Sequence, residues 1–467
     1  MMPVTQLTLA LLAAMLTQIA RADTPQAHAS AEIEALIEAA EPGETILLPA
    51  GVYMGNVRVT KSVTIDARGA GVIDGGGEGT VVEIDAPGVT LRNLVIRGSG
   101  SNVSGEPAAI RVLAPDAVIE DNHIEDALFG IDLREAPGAI IRRNVIRGKD
   151  LEPGRRGDGI RLWWSHACVV EDNDVQGTRD MVFWYSEGLK IARNRVSDSR
   201  YGLHFMYSHD TVLTENDLES NSVGVYLMYS NRIRLIRNTM TNNRGASGYG
   251  IGLKDCDDIV VEGNALLANR VGAYLDNSPS SVDSTGIIEG NLIAFNEIGL
   301  VATPNTHDNV LTGNAFVENE EQAGVHGRGD LSHNVFSRDG VGNFWSDYAG
   351  FDLDGDAIGD LPYEPRSLFG SMLAHEPNLR LFVHSPAQQA VEFTARALPE
   401  FRPAPTLTDP APLARPPSLV VRTAERPSAP WPMATLGTAL LSGVGAMLWV
   451  AARSVRMPVP GSRSAQP

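Results

Sequence analysis

Apolar and polar positions alternate along the middle of this chain in short bursts that nearly repeat: Met181-Val-Phe-Trp-Tyr-Ser, Leu203-His-Phe-Met-Tyr-Ser and Val225-Tyr-Leu-Met-Tyr-Ser. Alternation of period two predicts strands, with successive side chains on opposite faces. Each burst follows an Asn, at Asn173, Asn194 and Asn216, by almost the same interval. The same marker, an Asn among apolar residues, stands at Asn93, Asn122, Asn144, Asn238, Asn264, Asn291, Asn314 and Asn334. Many units also place a Gly before an apolar-x-apolar strand, as in Gly130-Ile-Asp-Leu and Gly272-Ala-Tyr-Leu. A repeat of this length predicts a solenoid. The Leu-x-x-Leu-x-Leu signature of a helix-bearing repeat is absent, so the expected fold is all-β, a right-handed parallel β-helix. Equivalent positions then stack, and the Asn form an internal ladder whose amides bond the turn backbone and one another.

The ends of the repeat need caps, because a bare sheet edge templates aggregation. Residues 30–40 read as a short amphipathic helix, so 23–92 is expected to hold an N-terminal cap and the first turns. The repeats occupy 93–342 and a C-terminal cap 343–401. Residues 402–432 are Pro-rich with few large apolar side chains and read as an extended linker.

Both chain termini carry apolar runs. Residues 7–20 precede Ala20-Arg21-Ala22, a small-x-small cleavage pattern, so 1–22 reads as an export signal. Residues 433–452 contain no charged side chain, and about 20 such residues suffice to span a bilayer. Arg453 and Arg456 follow at once. Positive charge there puts a tail, 453–467, in the cytoplasm and the large domain in the periplasm, anchored to the inner membrane. A formal net charge of -19 argues against nucleic acid or an anionic membrane surface as partner. The two cysteines, Cys168 and Cys256, lie four turns apart, roughly 19 Å at the strand spacing. A disulfide needs Cα atoms within about 7 Å, so both read as small buried residues. Cys256 aligns with Ser165, Ser186, Ser208 and Ser230.

Stacking the turns converts the repeat into a surface. Leu203 and Phe205 face in; His204 and Met206 face out. One outward row reads Asp132, Arg161, Val182, His204, Tyr226, Gly252, Tyr274, and the next Arg134, Trp163, Trp184, Met206, Met228, Lys254, Asp276. Beside them run Trp164, Tyr185, Tyr207 and Tyr229. The aromatic and sulfur-bearing positions (Trp163, Trp164, Trp184, Tyr185, Tyr207, Tyr226 and Tyr229) form a bounded patch with a charged rim, the layout of a partner-binding surface. His204, Met206, His209 and Met228 fall within or beside it, and imidazole with thioether suits Cu(I), a soft ion. Composition alone fits a protein contact surface using adaptable Met and aromatic area better than a metal site, and the two are compatible if the partner delivers copper.

Two other chemistries are weighed. A carbohydrate lyase or hydrolase on this fold needs paired outward carboxylates about 5–10 Å apart; Asp132, Asp158 and Asp180 are the candidates, and none forms an obvious pair on one row. His123, His166, His307 and His333 are scattered near turns. A structural adhesin is the remaining alternative. Separately, Asp352, Asp354, Asp356 and Asp360 alternate around Gly355 and can wrap a hard cation such as Ca²⁺. The spacing departs from an EF-hand, whose glycine sits at the sixth position and whose twelfth is Glu.

Several runs together resemble one family. They are Gly157-Asp-Gly-Ile-Arg-Leu-Trp, Arg179-Asp-Met-Val-Phe-Trp-Tyr-Ser, Gly202-Leu-His-Phe-Met-Tyr-Ser-His-Asp, Gly224-Val-Tyr-Leu-Met-Tyr-Ser, and Gly342-Asn-Phe-Trp-Ser-Asp-Tyr with the Asp-rich loop after it. This resembles the NosD family of nitrous oxide reductase maturation proteins over residues 32–386. The resemblance implies a periplasmic β-helix without catalytic activity, working with an ABC transporter permease, its ATPase and a copper chaperone. It implies a role in assembling the copper sites of nitrous oxide reductase, with copper or the chaperone received at His204, Met206 and Met228.

Overall fold

Three short strands make up each repeat, and every strand pairs in parallel with its equivalents one turn before and after, as at Val169–Glu171, Asp174–Gln176 and Asp180–Trp184. The result, in a computed structural model that describes residues 27–383, 385–398, 400 and 403–419, is a parallel β-solenoid. One wall is a 12-stranded sheet running from Val57–Val59 to Glu321–Val325; the other two strands of each turn merge into a second sheet. Six central strands of the 12-stranded wall matter below: β1 (Ile160–Trp163), β2 (Asp180–Trp184), β3 (Tyr201–Met206), β4 (Val223–Met228), β5 (Tyr249–Lys254) and β6 (Val271–Asp276). Their register is the one read from the repeat: Trp163, Trp184, Met206, Met228, Lys254 and Asp276 are successive partners.

Inward positions of these strands stack into rows of core residues. Leu162, Phe183, Phe205, Leu227, Leu253 and Leu275 are all buried, and Phe183 lies flat on Phe205 at 4.6 Å. Burying each such side chain contributes about 1.5–3 kcal/mol, so the hydrophobic stabilisation accumulates turn by turn rather than in one globular centre.

The asparagine ladder runs from Asn122 through Asn144, Asn173, Asn194, Asn216, Asn238, Asn264, Asn291 and Asn314 to Asn343. At each step an Oδ1 accepts both the backbone N–H and the Nδ2 of the preceding Asn, while its own Nδ2 reaches a carbonyl of the core strand, as Asn216 does at Ile191. Two expected members fall elsewhere. Asn93 takes a left-handed conformation and donates to Asp66, and Asn334 pairs with Asn309. A second ladder, Asn221, Asn243, Asn269, Asn296 and Asn319, ends on Gln322. A serine ladder of Ser165, Ser186, Ser208 and Ser230 lines a third corner. Cys256 continues it, and both cysteines are free and buried.

The caps follow from what each end leaves open. Helix α1 (Ser30–Ala39) covers the N-terminal end with Ile33 and Ile37, one helical turn apart and fully buried. At the other end, helices α2 (Leu368–His375) and α3 (Pro386–Ala397) stand beside a segment that returns to the solenoid. The stretch read as an extended linker from 402 is, over 406–414, part of this closure: Leu407 and Asp409 are buried and Leu413 bridges to Phe344 and Ile358. The expected signal (1–22), membrane-spanning run (433–452) and tail (453–467) lie outside the described residues. Among those described, no helix is long and apolar enough to cross a membrane.

Candidate functional site

The patch forms where β1 to β4 end at a tight corner. Trp164, Tyr185, Tyr207 and Tyr229 each occupy that corner with φ near +50°, a conformation that costs a bulky residue roughly 1–2 kcal/mol. The rings stack in sequence at 5.0, 5.3 and 5.0 Å with interplanar angles of 6°, 9° and 15°. Each of the three stacked pairs returns about 0.5–1.5 kcal/mol, which offsets part of the backbone cost. The corner is held from inside, because each following Ser donates to the carbonyl two residues back. Trp163, Trp164 and Tyr207 are exposed; Trp184, Tyr185, Met206, Tyr226, Met228 and Tyr229 are half-buried.

His204 differs from its row-mates in kind. It lies on the outward row yet is only 5% exposed, closed in by the edges of Trp184 at 5.6 Å and Tyr201 at 4.8 Å. Its Nδ1 sits 3.2 Å from Asp180 Oδ2, and its Nε2 is buried without a hydrogen-bond partner. A carboxylate accepts only, so Nδ1 carries the proton in the neutral ring and Nε2 keeps its lone pair. A carboxylate-oriented imidazole with a bare Nε2 is the arrangement that metal-ligating histidines use. Met206 follows two residues later on the same face, and Met228 is its partner on the next strand, about 4.8 Å away along the sheet. The donor set of one imidazole and two thioethers fits a soft monovalent copper ion. Trp184, in register with Met206, leaves its own Nε1 buried and unpartnered beside His204.

Asp180 is the residue that the sequence did not connect to this site. It is buried and also held by Arg200, whose guanidinium lies 4.5 Å over the Tyr201 ring. Arg200, Asp180, His204 and Tyr201 thus form a closed cycle of contacts. The signal was present: Asp180 stands one repeat plus two residues before His204, which sets it at the start of the neighbouring strand. Burial works against the Asp180 charge, but hydrogen bonds from His204 and Arg200 outweigh it and hold the carboxyl below its ordinary range. Its neighbour Asp158 goes the other way. Burial pushes it up to about 6 against the pull of Arg179, and the Asp180 charge adds to the rise. Two nearby acids are driven apart.

His209 is not brought to His204. It lies past the corner, where its Nδ1 accepts the N–H of Asn231, as His166 does for Glu187. The three weighed carboxylates are each closed by guanidinium: Asp132 by Arg111, Arg134 and Arg161, Asp158 by Arg179, Asp180 by Arg200. In the Asp-rich loop, the oxygens of Asp352, Asp354 and Asp356 converge within 4.8 Å of one another. Asp360 instead accepts the N–H of Leu353, and both Asp352 oxygens accept loop N–H groups.

A family model described as periplasmic copper-binding protein (NosD) matches residues 138–350, which contain the whole patch. A Pseudomonas aeruginosa protein named probable ABC transporter binding protein NosD is 34% identical over 79% of this chain and 88% of its own length. The protein of the same name from Stutzerimonas stutzeri is 32% identical over 79% and 87%. Among solved structures, the A-module of an Azotobacter vinelandii mannuronan C-5 epimerase is similar at a TM-score of 0.48 and 17% identity, covering 66% of this chain and 95% of that one. An alginate lyase complex matches at 0.49 and 14%, covering 69% and 86%. With identity of this extent over most of both chains, this protein belongs to the NosD family.

Proposed function

We propose that this protein receives copper, as Cu(I), in the periplasm and acts with an ABC transporter permease and its ATPase in assembling the copper sites of nitrous oxide reductase. The observation that carries it is the buried, unpartnered Nε2 of His204, oriented by Asp180 on the same outward face of the wall as Met206 and its register partner Met228. Copper is the cargo here. The chain's own part is to orient the His204 lone pair through Asp180 and to close it to water, with Trp184 and Tyr201 as walls. A copper chaperone docks on the exposed aromatic edge of Trp163, Trp164, Tyr207 and their neighbours, and the run 433–452 anchors the domain to the membrane. The names of the relatives, as transporter binding proteins, support the transporter partnership. They also support a role without catalysis, as do the guanidinium clamps on Asp132, Asp158 and Asp180.

Cells lacking the protein, complemented with the wild type or with a His204→Ala/Met206→Ala/Met228→Ala variant, test this reading. The reductase should carry its full copper content only with the wild type; equal copper content with the variant would remove the assignment. The same reading keeps a structural Ca²⁺ for the Asp352–Asp360 loop, supported by the convergence of three carboxylates. A rise in melting temperature with Ca²⁺ over EDTA supports it, and identical melting removes it.

A further inference from the structure

On the opposite side of β3 from the aromatic edge lies a groove of about 480 Å³. Two loop insertions bracket it. One holds Pro153, Gly154 and Arg156, and the other holds Arg244 and Gly245. Both insertions show in the ladder spacing, where the steps from Asn144 to Asn173 and from Asn238 to Asn264 take 29 and 26 residues, against 21 and 22 between. Three uninserted turns make the floor, contributing Thr178, Ser199, Ser220, Asn221 and Ser222.

Four guanidinium groups line the groove, from Arg156, Arg179, Arg200 and Arg244, against one carboxylate, Asp198. Each is ion-paired, Arg156 with Asp198 itself, so what the groove presents is the spare N–H donors of Arg179, Arg200 and Arg244 rather than an excess of charge. Arg179 and Arg200 stand at equivalent positions of successive turns, the Arg200 N–H donating to the Arg179 carbonyl, so their backbones follow each other at the strand spacing of about 4.8 Å. Each grips a buried aspartate behind the floor through two of its five donors, Arg179 on Asp158 and Arg200 on Asp180. Both remain partly exposed, as does Arg244, which reaches Glu297 and the Ala268 carbonyl. Guanidinium heads spaced along a floor of hydroxyl and amide groups suit a row of carboxylates on an extended chain.

We infer that this groove binds an acidic peptide segment, about four residues long, of the protein that docks on the aromatic edge. The floor spans three turns, which an extended chain covers at about 3.3 Å per residue. Groove and aromatic edge flank the same six-residue strand, close enough for one partner to touch both. The choice of a protein segment as occupant rests on the docking reading above; the site itself does not depend on copper.

The test uses the full chain without copper and a fluorescein-labelled tetraglutamate, read by fluorescence anisotropy at low salt. Saturable binding should weaken about tenfold in Arg244→Gln and again in Arg200→Lys, which keeps the charge and loses the planar fork. Melting curves of both variants confirm that they fold. Absence of binding to the wild type, or equal binding by the variants, overturns the inference. Tighter binding of tetragalacturonate than of tetraglutamate overturns the peptide assignment. Because no copper is present, failure here leaves the copper reading standing, and loss of the copper reading leaves peptide binding measurable.

Discussion

Asp180 holds His204: the carboxylate Oδ2 lies 3.2 Å from the imidazole Nδ1, one turn of the solenoid away. Orientation of a ligand through its second nitrogen typically contributes 10–100-fold to metal affinity. Asp180→Asn preserves the shape but allows the amide to donate to Nδ1, which moves the proton to Nε2. Cu(I) affinity, measured against a chromophoric chelator, should fall about 10–100-fold; the melting temperature should fall too, because Arg200 loses its buried carboxylate partner, so affinity is compared well below the transition.

The asparagine ladder makes a sharper stability prediction. Asn216→Ala removes the acceptor of the Asn194 backbone N–H, one of the two acceptors of its Nδ2 (the Val170 carbonyl remains), and the amide donor to the Ile191 carbonyl. Unmade buried hydrogen bonds cost about 1–3 kcal/mol each, so urea unfolding should show a loss of roughly 2–5 kcal/mol. Asn242→Ala, at an exposed site whose side chain bonds only Ser220 but whose φ of +55° suits Asn better than Ala, should cost only about 1 kcal/mol.

Much of this was legible in advance because a solenoid makes register a property of sequence. Trp163, Trp184, Met206 and Met228 align by counting residues, and the strands align them in space. The second ladder was equally available, since Asn221, Asn243, Asn269, Asn296 and Asn319 each stand five residues after a first-ladder Asn. What counting does not reach is closure by distant residues. Asn343 follows the glycine at which the repeat breaks, and its N–H is accepted by Asp409, 66 residues on. Trp345 Nε1 donates to the same carboxylate at 2.9 Å. No local pattern marks Asp409, which sits in a Pro-rich stretch and owes its place to the open end of the ladder. His204 was read as outward, and is; that Trp184 and Tyr201 would cover it depends on ring packing, which row assignment does not specify.

At Tyr207, which stacks on both sides, backbone strain and ring stacking nearly balance. Tyr207→Asn relieves the left-handed strain, since Asn tolerates that conformation, and removes stacking on Tyr185 and Tyr229. The net change in stability should be about 1 kcal/mol. Copper transfer from the chaperone, followed by stopped-flow, should slow markedly, which separates a docking role from a structural one.

Asp158 gives the fold a pH dependence of defined sign. Its folded value is pushed up to about 6 by burial, from 3.8 in an open environment. The folded state therefore holds the proton more tightly, and this group's contribution to stability is greatest below the open value and declines as pH rises through the folded one. Asp158→Asn removes that decline. The stability difference, variant minus wild type, should grow between about pH 4 and pH 6 and level off above, by an amount on the order of 1–3 kcal/mol. A difference that is flat across this window would remove Asp158 as its source.

The central claim is that one imidazole and two thioethers on β3 and β4 take up copper. Titration of the purified full chain with Cu(I) under a competing chelator tests it most directly, comparing the wild type with His204→Ala/Met206→Ala/Met228→Ala. The wild type should withdraw one Cu(I) from the chelator and the triple variant should fail to do so. Withdrawal of copper with the same affinity by both would contradict the site.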